Sequence, residues 1–264
     1  MKYNLKEKVA VITGASRGIG LAVAKALYNK GVIVYDISRH FEANPEIKMT
    51  YTADVNDSAS IEIILQTIYK QEGKIDIFIN NAGFGIAGAV DSAKKESIYS
   101  LVDTNLSALI NLSRLALPYL KQSQGRLINI SSVGGVVPLP YQAVYSATKA
   151  GVEIFSRALA NEVREDGVKV TCIMPGDTKT GFTKARIVEN ESGDQKVARA
   201  IKKAEKEEQK GMSPDSVALA VIKCLQKRNP PLRKTVGGVY KLIVFACRVV
   251  PTKFLNWLVR KIYI

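Results

Sequence analysis

Tyr145 and Lys149 form a candidate acid–base pair in this sequence. They lie four positions apart in the stretch "YQAVYSATKAG" at residues 141–151. In a helix this spacing places both side chains on one face, one turn apart. A phenol beside an ammonium can act as an acid–base pair, because the positive charge favours the phenolate and lowers its pKa. The competing interpretation is a solvated surface pair, so a cofactor site and a partner hydroxyl are needed to decide.

The composition limits the classes of function. The single histidine, His40, argues against a His-rich metal site, and we expect no metal. Three cysteines without a CxxC pair indicate a reduced, cytoplasmic protein. We find no secretory signal pattern and no uncharged apolar run of about 18 residues, so we expect no membrane-spanning segment.

Six apolar runs alternate with helix-period segments along the chain. The runs are rich in Val, Ile and Thr, and they lack the apolar–polar alternation of half-exposed strands, which is typical of strands covered on both faces. This order predicts an α/β fold, a Rossmann-like doubly wound parallel sheet with helices on both faces. No linker divides the chain, so we expect a single domain over residues 1–264. The predicted strands cover residues 8–13, 32–37, 49–53, 75–80, 126–131 and 169–174.

A glycine-rich stretch, "TGASRGIG" at residues 13–20, lies between the first predicted strand and the first helix. Glycine allows a tight turn and a close approach of the backbone to a pyrophosphate, whose charge suits a helix N-terminus. Glycines alone are a weak signal, but their place in a strand–loop–helix unit favours a dinucleotide site. The loop residues expected to contact the cofactor are Gly14, Ser16, Arg17, Gly18, Ile19 and Gly20.

The end of the second predicted strand bears on the choice between NADP(H) and NAD(H). A carboxylate there would bind the ribose 2′-hydroxyl, whereas an arginine would accommodate a 2′-phosphate. Asp36 lies 22 residues after Gly14, as an NAD-type acid would, but it falls inside the strand. Arg39 follows the expected strand end, and Arg17 lies in the glycine loop. We favour NADP(H); NAD(H) with Asp36 on the ribose is the alternative.

Seven motifs together resemble the short-chain dehydrogenase/reductase family, whose members are NAD(P)-dependent oxidoreductases. They occur in the family's order between residues 8 and about 180. The resemblance implies a seven-stranded sheet, with the last strand at residues 232–236, and an enzyme acting on CH–OH or C=O groups. The motifs are TGASRGIG (13–20), ADV (53–55), NNAG (80–83), DTNLSA (103–108), NISS (129–132), YSATK (145–149) and PGDTKT (175–180).

The resemblance also implies a set of site residues. The family's catalytic tetrad corresponds to Asn105, Ser132, Tyr145 and Lys149; of the two serines in "NISS", Ser132 has the family's usual thirteen-residue separation from the tyrosine. Besides the glycine loop and Arg39, the cofactor contacts implied by the motifs are Asp54, Val55, Asn81, Ala82, Gly83, Tyr145, Lys149, Pro175, Gly176, Thr178 and Thr180.

These residues suggest a mechanism in which hydride passes between the nicotinamide and a carbonyl carbon. Tyr145 exchanges the proton, with its pKa lowered from about 10 by the charge of Lys149 and by the positive charge of an oxidised nicotinamide ring. Ser132 holds the substrate oxygen, as an oxyanion donor does. A water held by Asn105 that resupplies protons through Lys149 is implied by the resemblance alone.

The substrate is set in this family largely by the segment after "PG", here residues 181–212, which we predict to be a helical lid. We favour an apolar ketone, fatty or steroid-like. One alternative is a 3-oxoacyl-carrier-protein reductase, because carrier proteins are acidic and this chain has a net charge of +14. An alternative of another class is a non-catalytic NADP(H)-sensing protein. We expect no nucleic-acid partner, because no nucleic-acid-binding motif occurs.

The C-terminal tail, residues 237–264, is predicted to form an amphipathic basic helical extension. From Ser216 to the end the chain has ten basic residues and no acidic one. We favour packing of the tail on its own domain or a partner subunit, closing the substrate cleft; the second hypothesis places it peripherally on an anionic membrane.

Apolar residues in the helices at 104–120 and 145–163 predict a homodimer or homotetramer.

Overall fold

A seven-stranded sheet forms the centre of the computed structural model, which describes residues 2–41, 43–189 and 193–263, without the side chains of residues 183 and 184. The strand order is β3-β2-β1-β4-β6-β7-β9, and every neighbouring pair is parallel. The strands of this sheet are β1 (Val9–Thr13), β2 (Ile33–Ser38), β3 (Met49–Thr52), β4 (Ile77–Asn80), β6 (Arg126–Ile130), β7 (Lys169–Pro175) and β9 (Arg233–Val236).

Helices cover both faces of the sheet, as the apolar runs predict. On one face α1 and α8 pack against Ile12, Ile79 and Ile128; on the other, residues of α2, α4 and α5 pack against Phe78 and Leu127. The helices of this layered part are α1 (Gly18–Tyr28), α2 (Ser58–Glu72), α3 (Lys95–Val102), α4 (Ala108–Ser123), α5 (Ala143–Glu162) and α8 (Pro214–Leu225). The predicted Rossmann-like fold is confirmed.

All seven strands point the same way, so their carboxyl ends meet at one edge of the sheet. In parallel α/β sheets ligands bind at this edge, where the loops leave the strands. The predicted strand at 32–37 ends one residue later, at Ser38, and Arg39 follows it directly. The last strand, predicted at 232–236, is Arg233–Val236.

A two-stranded parallel sheet lies outside the main sheet and joins the loop after β4 to the predicted lid. It pairs β5 (Ile86–Gly88) with β8 (Ile187–Glu189). Strands of three residues are too short to show a period, so the sequence does not predict them. The rest of the lid contains α6 (Phe182–Ala185) and α7 (Gln195–Gln209), so its predicted helical character is present; residues 190–192 of it lie outside the described residues.

A π-helical segment, Asp103–Ser107, lies between α3 and α4. A π-turn of this kind inserts an extra residue into a helix and is often found at functional sites. Here the segment contains Asn105, whose side chain is only 1% exposed.

The C-terminal tail forms two helices, α9 (Gly238–Val249) and α10 (Thr252–Tyr263), on either side of Pro251. The residue before a proline is disfavoured in helical geometry, and Val250 is extended. The tail packs on the protein, since Val244 and Val259 are buried and Lys203 Nζ in α7 donates a hydrogen bond of 2.6 Å to the Ile262 carbonyl. No helix among the described residues is both long and apolar enough to cross a bilayer.

Candidate active site

The glycine loop between β1 and α1 has the geometry of a close backbone turn. Gly14 and Gly18 have positive φ angles of 71° and 60°, in the left-handed region that favours glycine. At Gly20 a Cβ atom would lie 2.2 Å from the Gly14 carbonyl oxygen, so the helix can begin this close to the loop only with glycine there. The loop therefore fits a pyrophosphate at a helix N-terminus.

Asn81 is turned towards the glycine loop. Its side-chain Nδ2 donates to the backbone oxygens of Thr13 and Gly14, at 3.0 and 2.9 Å. The Thr13 hydroxyl in turn accepts hydrogen bonds of 3.0 Å from the backbone N–H groups of Asn81 and Ala82. The Asn81 amide therefore braces the loop, and Thr13, which the sequence motifs did not single out, ties β1 to the loop after β4.

Asp36 is buried and its carboxylate is occupied within the protein. One oxygen accepts a hydrogen bond of 2.8 Å from the Ala15 backbone N–H, and both accept from the Ser38 hydroxyl. Burial raises the pKa of this carboxyl group, against these hydrogen bonds. Asp36 does not line the cavity, whereas the exposed Arg17 and Arg39 do.

The predicted Tyr145–Lys149 pair lies on the inward face of α5, and both side chains are buried. Lys149 Nζ is 5.8 Å from the centre of the Tyr145 ring and donates a hydrogen bond of 3.1 Å to the Ile130 carbonyl, at the end of β6. Ser132 lies just after that strand, where its hydroxyl accepts a hydrogen bond from the Gly134 backbone N–H. The surface-pair interpretation is therefore wrong.

Burial dominates the protonation of this pair. It raises the pKa of Tyr145 to about 12, with a Ser132 hydrogen bond as the largest opposing influence. We expected Lys149 to lower the pKa of Tyr145, and this expectation is wrong when only the protein's own groups act. Under their influence Tyr145 is a neutral phenol at neutral pH. Burial also lowers the pKa of Lys149 to about 8, so its ammonium form prevails at neutral pH and is lost as the pH rises through that value.

Asn105 is brought to the same place by the π-helical segment. Its Oδ1 accepts from the Phe84 backbone N–H at 3.0 Å, and its Nδ2 donates to the Phe84 carbonyl at 2.9 Å. A Cβ atom at Gly83 would lie 2.8 Å from Asn105 Oδ1 and 3.6 Å from Lys149 Nζ, so the two side chains flank this glycine. The Asn105 amide thus positions the loop after β4 beside Lys149.

A cavity of about 830 Å³ opens at the carboxyl edge of the sheet, and nearly all the predicted site residues line it. Gly20 and Asn105 are the exceptions, and both are buried. The predicted residues on its wall are Gly14, Ser16, Arg17, Gly18, Ile19, Arg39, Asp54, Val55, Asn81, Ala82, Gly83, Ser132, Tyr145, Lys149, Pro175, Gly176, Thr178 and Thr180.

Residues of the predicted lid and of the tail line the rest of the cavity. Tyr240 in α9 donates a hydrogen bond of 2.6 Å to Asp177, in the loop after β7, and so ties the tail to the site. The tail's apolar period gave a sequence signal for part of this wall, but Asp177, Arg186 and Glu208 gave none. The apolar residues that the tail contributes are Val239, Ile243, Leu255, Leu258, Val259 and Ile262.

Comparison with known proteins agrees with this geometry. The chain matches the short chain dehydrogenase family over residues 8–191. It is 38% identical over 245 residues to a 3-ketodihydrosphingosine reductase of Bacteroides thetaiotaomicron, covering 90% of this chain and 91% of that protein. It is 38% identical over 191 residues to a 3-oxoacyl-[acyl-carrier-protein] reductase of Vibrio cholerae, covering 69% and 78%.

A solved structure extends the similarity to the whole fold. A short-chain dehydrogenase from Streptomyces avermitilis has a TM-score of 0.84 and 28% identity, covering 95% of this chain and 96% of that one. With the fold, the glycine loop and the buried tyrosine–lysine pair in place, the chain belongs to the short-chain dehydrogenase family and is an oxidoreductase that acts on keto or hydroxy groups with a nicotinamide cofactor.

Proposed function

We propose that this protein is an NADP(H)-dependent reductase of long-chain ketones, of the kind represented by 3-ketodihydrosphingosine. The observation that carries the proposal is the composition of the cavity wall. Tyr145 and Ser132 line the same cavity as the apolar side chains of α9 and α10. A long hydrocarbon chain attached to a carbonyl would bury apolar area there, worth about 25 cal/mol per Å². The B. thetaiotaomicron relative, whose name states such a substrate, resembles 90% of this chain.

In this proposal each member of the tetrad has a distinct task. When bound, the reduced nicotinamide supplies a hydride to the carbonyl carbon. The Tyr145 phenol donates its proton to the oxygen, on which negative charge develops, and Ser132 hydrogen-bonds the same oxygen. Lys149, beside the ring of Tyr145, stabilises the phenolate that remains, and Asn105 positions the adjacent loop. In the reverse direction the phenolate accepts the proton of the alcohol.

The preference for NADP(H) is supported by the charges around the adenine half of the cavity. Arg17 and Arg39 are exposed on its wall, where a 2′-phosphate would find two guanidinium groups. Asp36, the competing ribose ligand, has both carboxylate oxygens engaged by Ala15 and Ser38.

The main alternative is a 3-oxoacyl-carrier-protein reductase, supported by the V. cholerae relative and by the net charge of +14. NADPH oxidation, followed by the absorbance of the reduced nicotinamide, separates the two, with a long-chain 2-amino-3-ketone and an acetoacetyl thioester as paired substrates. We expect higher kcat/KM for the lipid ketone; a higher value for the thioester would favour the carrier-protein substrate. Turnover of any ketone argues against a non-catalytic NADP(H) sensor.

We also propose that the chain forms a homodimer or homotetramer through α3, α4 and α5. These helices expose Tyr99, Ile110 and Ile154, and the last is 59% exposed. Large apolar side chains in such positions are commonly covered by a partner subunit. Light scattering at micromolar protein should give a mass of two or four chains, and a monomer mass would contradict this.

The outer face of the tail supports the membrane hypothesis, while its inner face supports packing on the protein. Leu242, Phe245, Val249, Phe254 and Trp257 are between 46% and 71% exposed. Basic side chains adjoin them, and the chain from Ser216 onwards contains no acid. We therefore propose that this face lies on an anionic lipid surface, where each basic residue adds roughly 1 kcal/mol.

A triple replacement of outer-face residues, Leu242→Ser, Phe245→Ser and Trp257→Ser, should abolish co-sedimentation with phosphatidylserine vesicles. Wild-type binding should weaken in high salt, because the electrostatic part is screened. Ile63→Ser, at an equally exposed apolar position on α2, is the control and should bind like the wild type. Failure of the wild type to sediment, or a triple variant that still binds, would contradict the proposal; loss of oligomer mass in the triple variant would assign the face to a second copy.

A further inference from the structure

Arg186 is a buried cation whose hydrogen-bonding capacity is only partly used. Its side chain is 1% exposed and forms an ion pair with Glu208 through Nη2. Its Nε and Nη1 atoms, and Oε2 of Glu208, are buried without a hydrogen-bond partner among the described residues. A buried polar group left without a partner costs about 1–3 kcal/mol, and more when charged. Because both residues line the cavity, a bound molecule is the natural source of the missing partners.

The position of this pair is fixed relative to the proton donor. The Tyr145 and Phe182 rings are 5.8 Å apart, and the Arg186 guanidinium carbon is 5.9 Å from the centre of the Phe182 ring. The Ile187 backbone N–H donates a hydrogen bond of 2.9 Å to the Gly85 carbonyl, which anchors the strand after Arg186. Arg186 and Glu208 both act electrostatically on the pKa of Tyr145, in opposite directions. The pair therefore lies close to where the reacting carbonyl must sit.

The charges around the pair favour a cation. Asp177, Glu207 and Glu208 all act electrostatically on Tyr263, so three carboxyl groups lie together on this part of the wall, against the two cations Arg186 and Lys203. Lys203 Nζ is engaged by the Ile262 carbonyl of the tail. Burial raises the pKa of both Asp177 and Glu208, which shows that their negative charges are poorly solvated. A carboxylate or phosphate head group would be repelled here, and a 3-oxoacyl thioester has no ammonium group next to its ketone for Glu208 to bind.

We propose that Arg186 and Glu208 form a head-group subsite for a substrate with an ammonium group next to the ketone and a hydroxyl group beyond it. Glu208 Oε2 accepts a hydrogen bond from the ammonium, and Arg186 Nε and Nη1 donate to the hydroxyl oxygen. The apolar chain on the other side of the carbonyl then extends along the wall made by α9 and α10. This subsite rests on the proposed function, of which it specifies the substrate class as a long-chain amino ketone.

The test compares a long-chain 2-amino-3-ketone with the ketone of equal length that lacks the amine. A charge-assisted hydrogen bond is worth about 1.5–3 kcal/mol, or roughly 10- to 150-fold. Glu208→Gln should lower kcat/KM for the amino ketone at least ~10-fold, chiefly through KM, and should change it less than about threefold for the plain ketone. Glu205→Gln, on the same helix but away from the cavity wall, is the matched control and should resemble the wild type.

Calorimetry supplies a readout that does not depend on turnover. Binding of the amino alcohol product should weaken at least ~10-fold in Glu208→Gln, whereas the alcohol without the amine should bind equally to both proteins. Glu208→Asp, which keeps the charge, should restore part of the affinity, and it serves as the second variant if Glu208→Gln does not fold. Equal effects on the amino and plain ligands would overturn the subsite and leave the proposed function intact. If the wild type reduces neither ketone, the proposed function fails, and calorimetry still decides whether the subsite selects an amine.

Discussion

Replacing Tyr145 with phenylalanine is expected to lower kcat for ketone reduction at least ~100-fold, the scale of positioned acid–base catalysis. The change removes the proton donor and keeps the ring that packs against Phe182. Burial raises the pKa of Tyr145 to about 12, so the wild-type side chain is a neutral phenol with a proton to give at physiological pH. Steady-state kinetics with NADPH and the long-chain ketone measure the loss.

Two controls make this result specific. Affinity for NADPH, followed by its fluorescence, should stay within about threefold, because a lost active-site proton should affect chemistry rather than binding. Tyr141→Phe alters the other tyrosine of the same stretch, which does not line the cavity, and should leave kcat unchanged. Turnover by Tyr145→Phe at the wild-type rate would exclude Tyr145 as the proton donor.

Replacing Arg39 with alanine is expected to weaken NADPH binding roughly 10- to 150-fold, which corresponds to about 1.5–3 kcal/mol for a charge-assisted bond. NADH lacks the 2′-phosphate, so its affinity should change less than about threefold. Fluorescence titrations of the wild type and of Arg39→Ala with NADPH and with NADH provide the comparison.

Arg164→Ala, an exposed arginine outside the cavity wall, is the control for a general loss of positive charge. Equal losses for the two nucleotides in Arg39→Ala, or a wild-type preference for NADH, would contradict the assignment. The ribose contact would then have to come from Asp36 after rearrangement of its bonds to Ala15 and Ser38.

The parts of the fold and site that depend on local pattern could be predicted from the sequence. Buried strands gave continuous Val and Ile runs, and the glycine loop marked the junction of β1 and α1. The spacing of Tyr145 and Lys149 placed both on one helix face, and the structure places both side chains in the protein interior. These features are fixed by residues within a few positions of one another.

Features that depend on distant contacts could not be predicted. Asp36 has the sequence position of a ribose ligand, but a hydrogen bond to Ala15, 21 residues away, engages it in the loop. The ion pair of Arg186 and Glu208 joins the residue between α6 and β8 to α7, and no periodicity of the sequence predicts this contact. The sequence predicts the wrong direction for the Tyr145 pKa shift for a similar reason, because burial by surrounding elements outweighs the nearby charge.

The apolar period of the tail predicts its helix correctly but does not predict what each face of the helix contacts. Its period predicts an amphipathic helix, and α10 is one. The apolar residues nevertheless divide between two faces: Val259 is buried, whereas Trp257 is 46% exposed. Sequence periodicity cannot tell a face that packs on protein from a face that remains available to lipid.

Hydride transfer to a long-chain ketone in this cavity can be followed with an isotopic label. The direct measurement uses NADPH deuterated at the transferable nicotinamide position, wild-type protein and a long-chain 2-amino-3-ketone, with mass spectrometry of the product. We predict one deuterium on the new carbinol carbon of the long-chain amino alcohol, and at least ~100-fold less labelled product with Tyr145→Phe in the same time. Absence of labelled alcohol from the wild type, while an acetoacetyl thioester becomes labelled under the same conditions, would contradict the account.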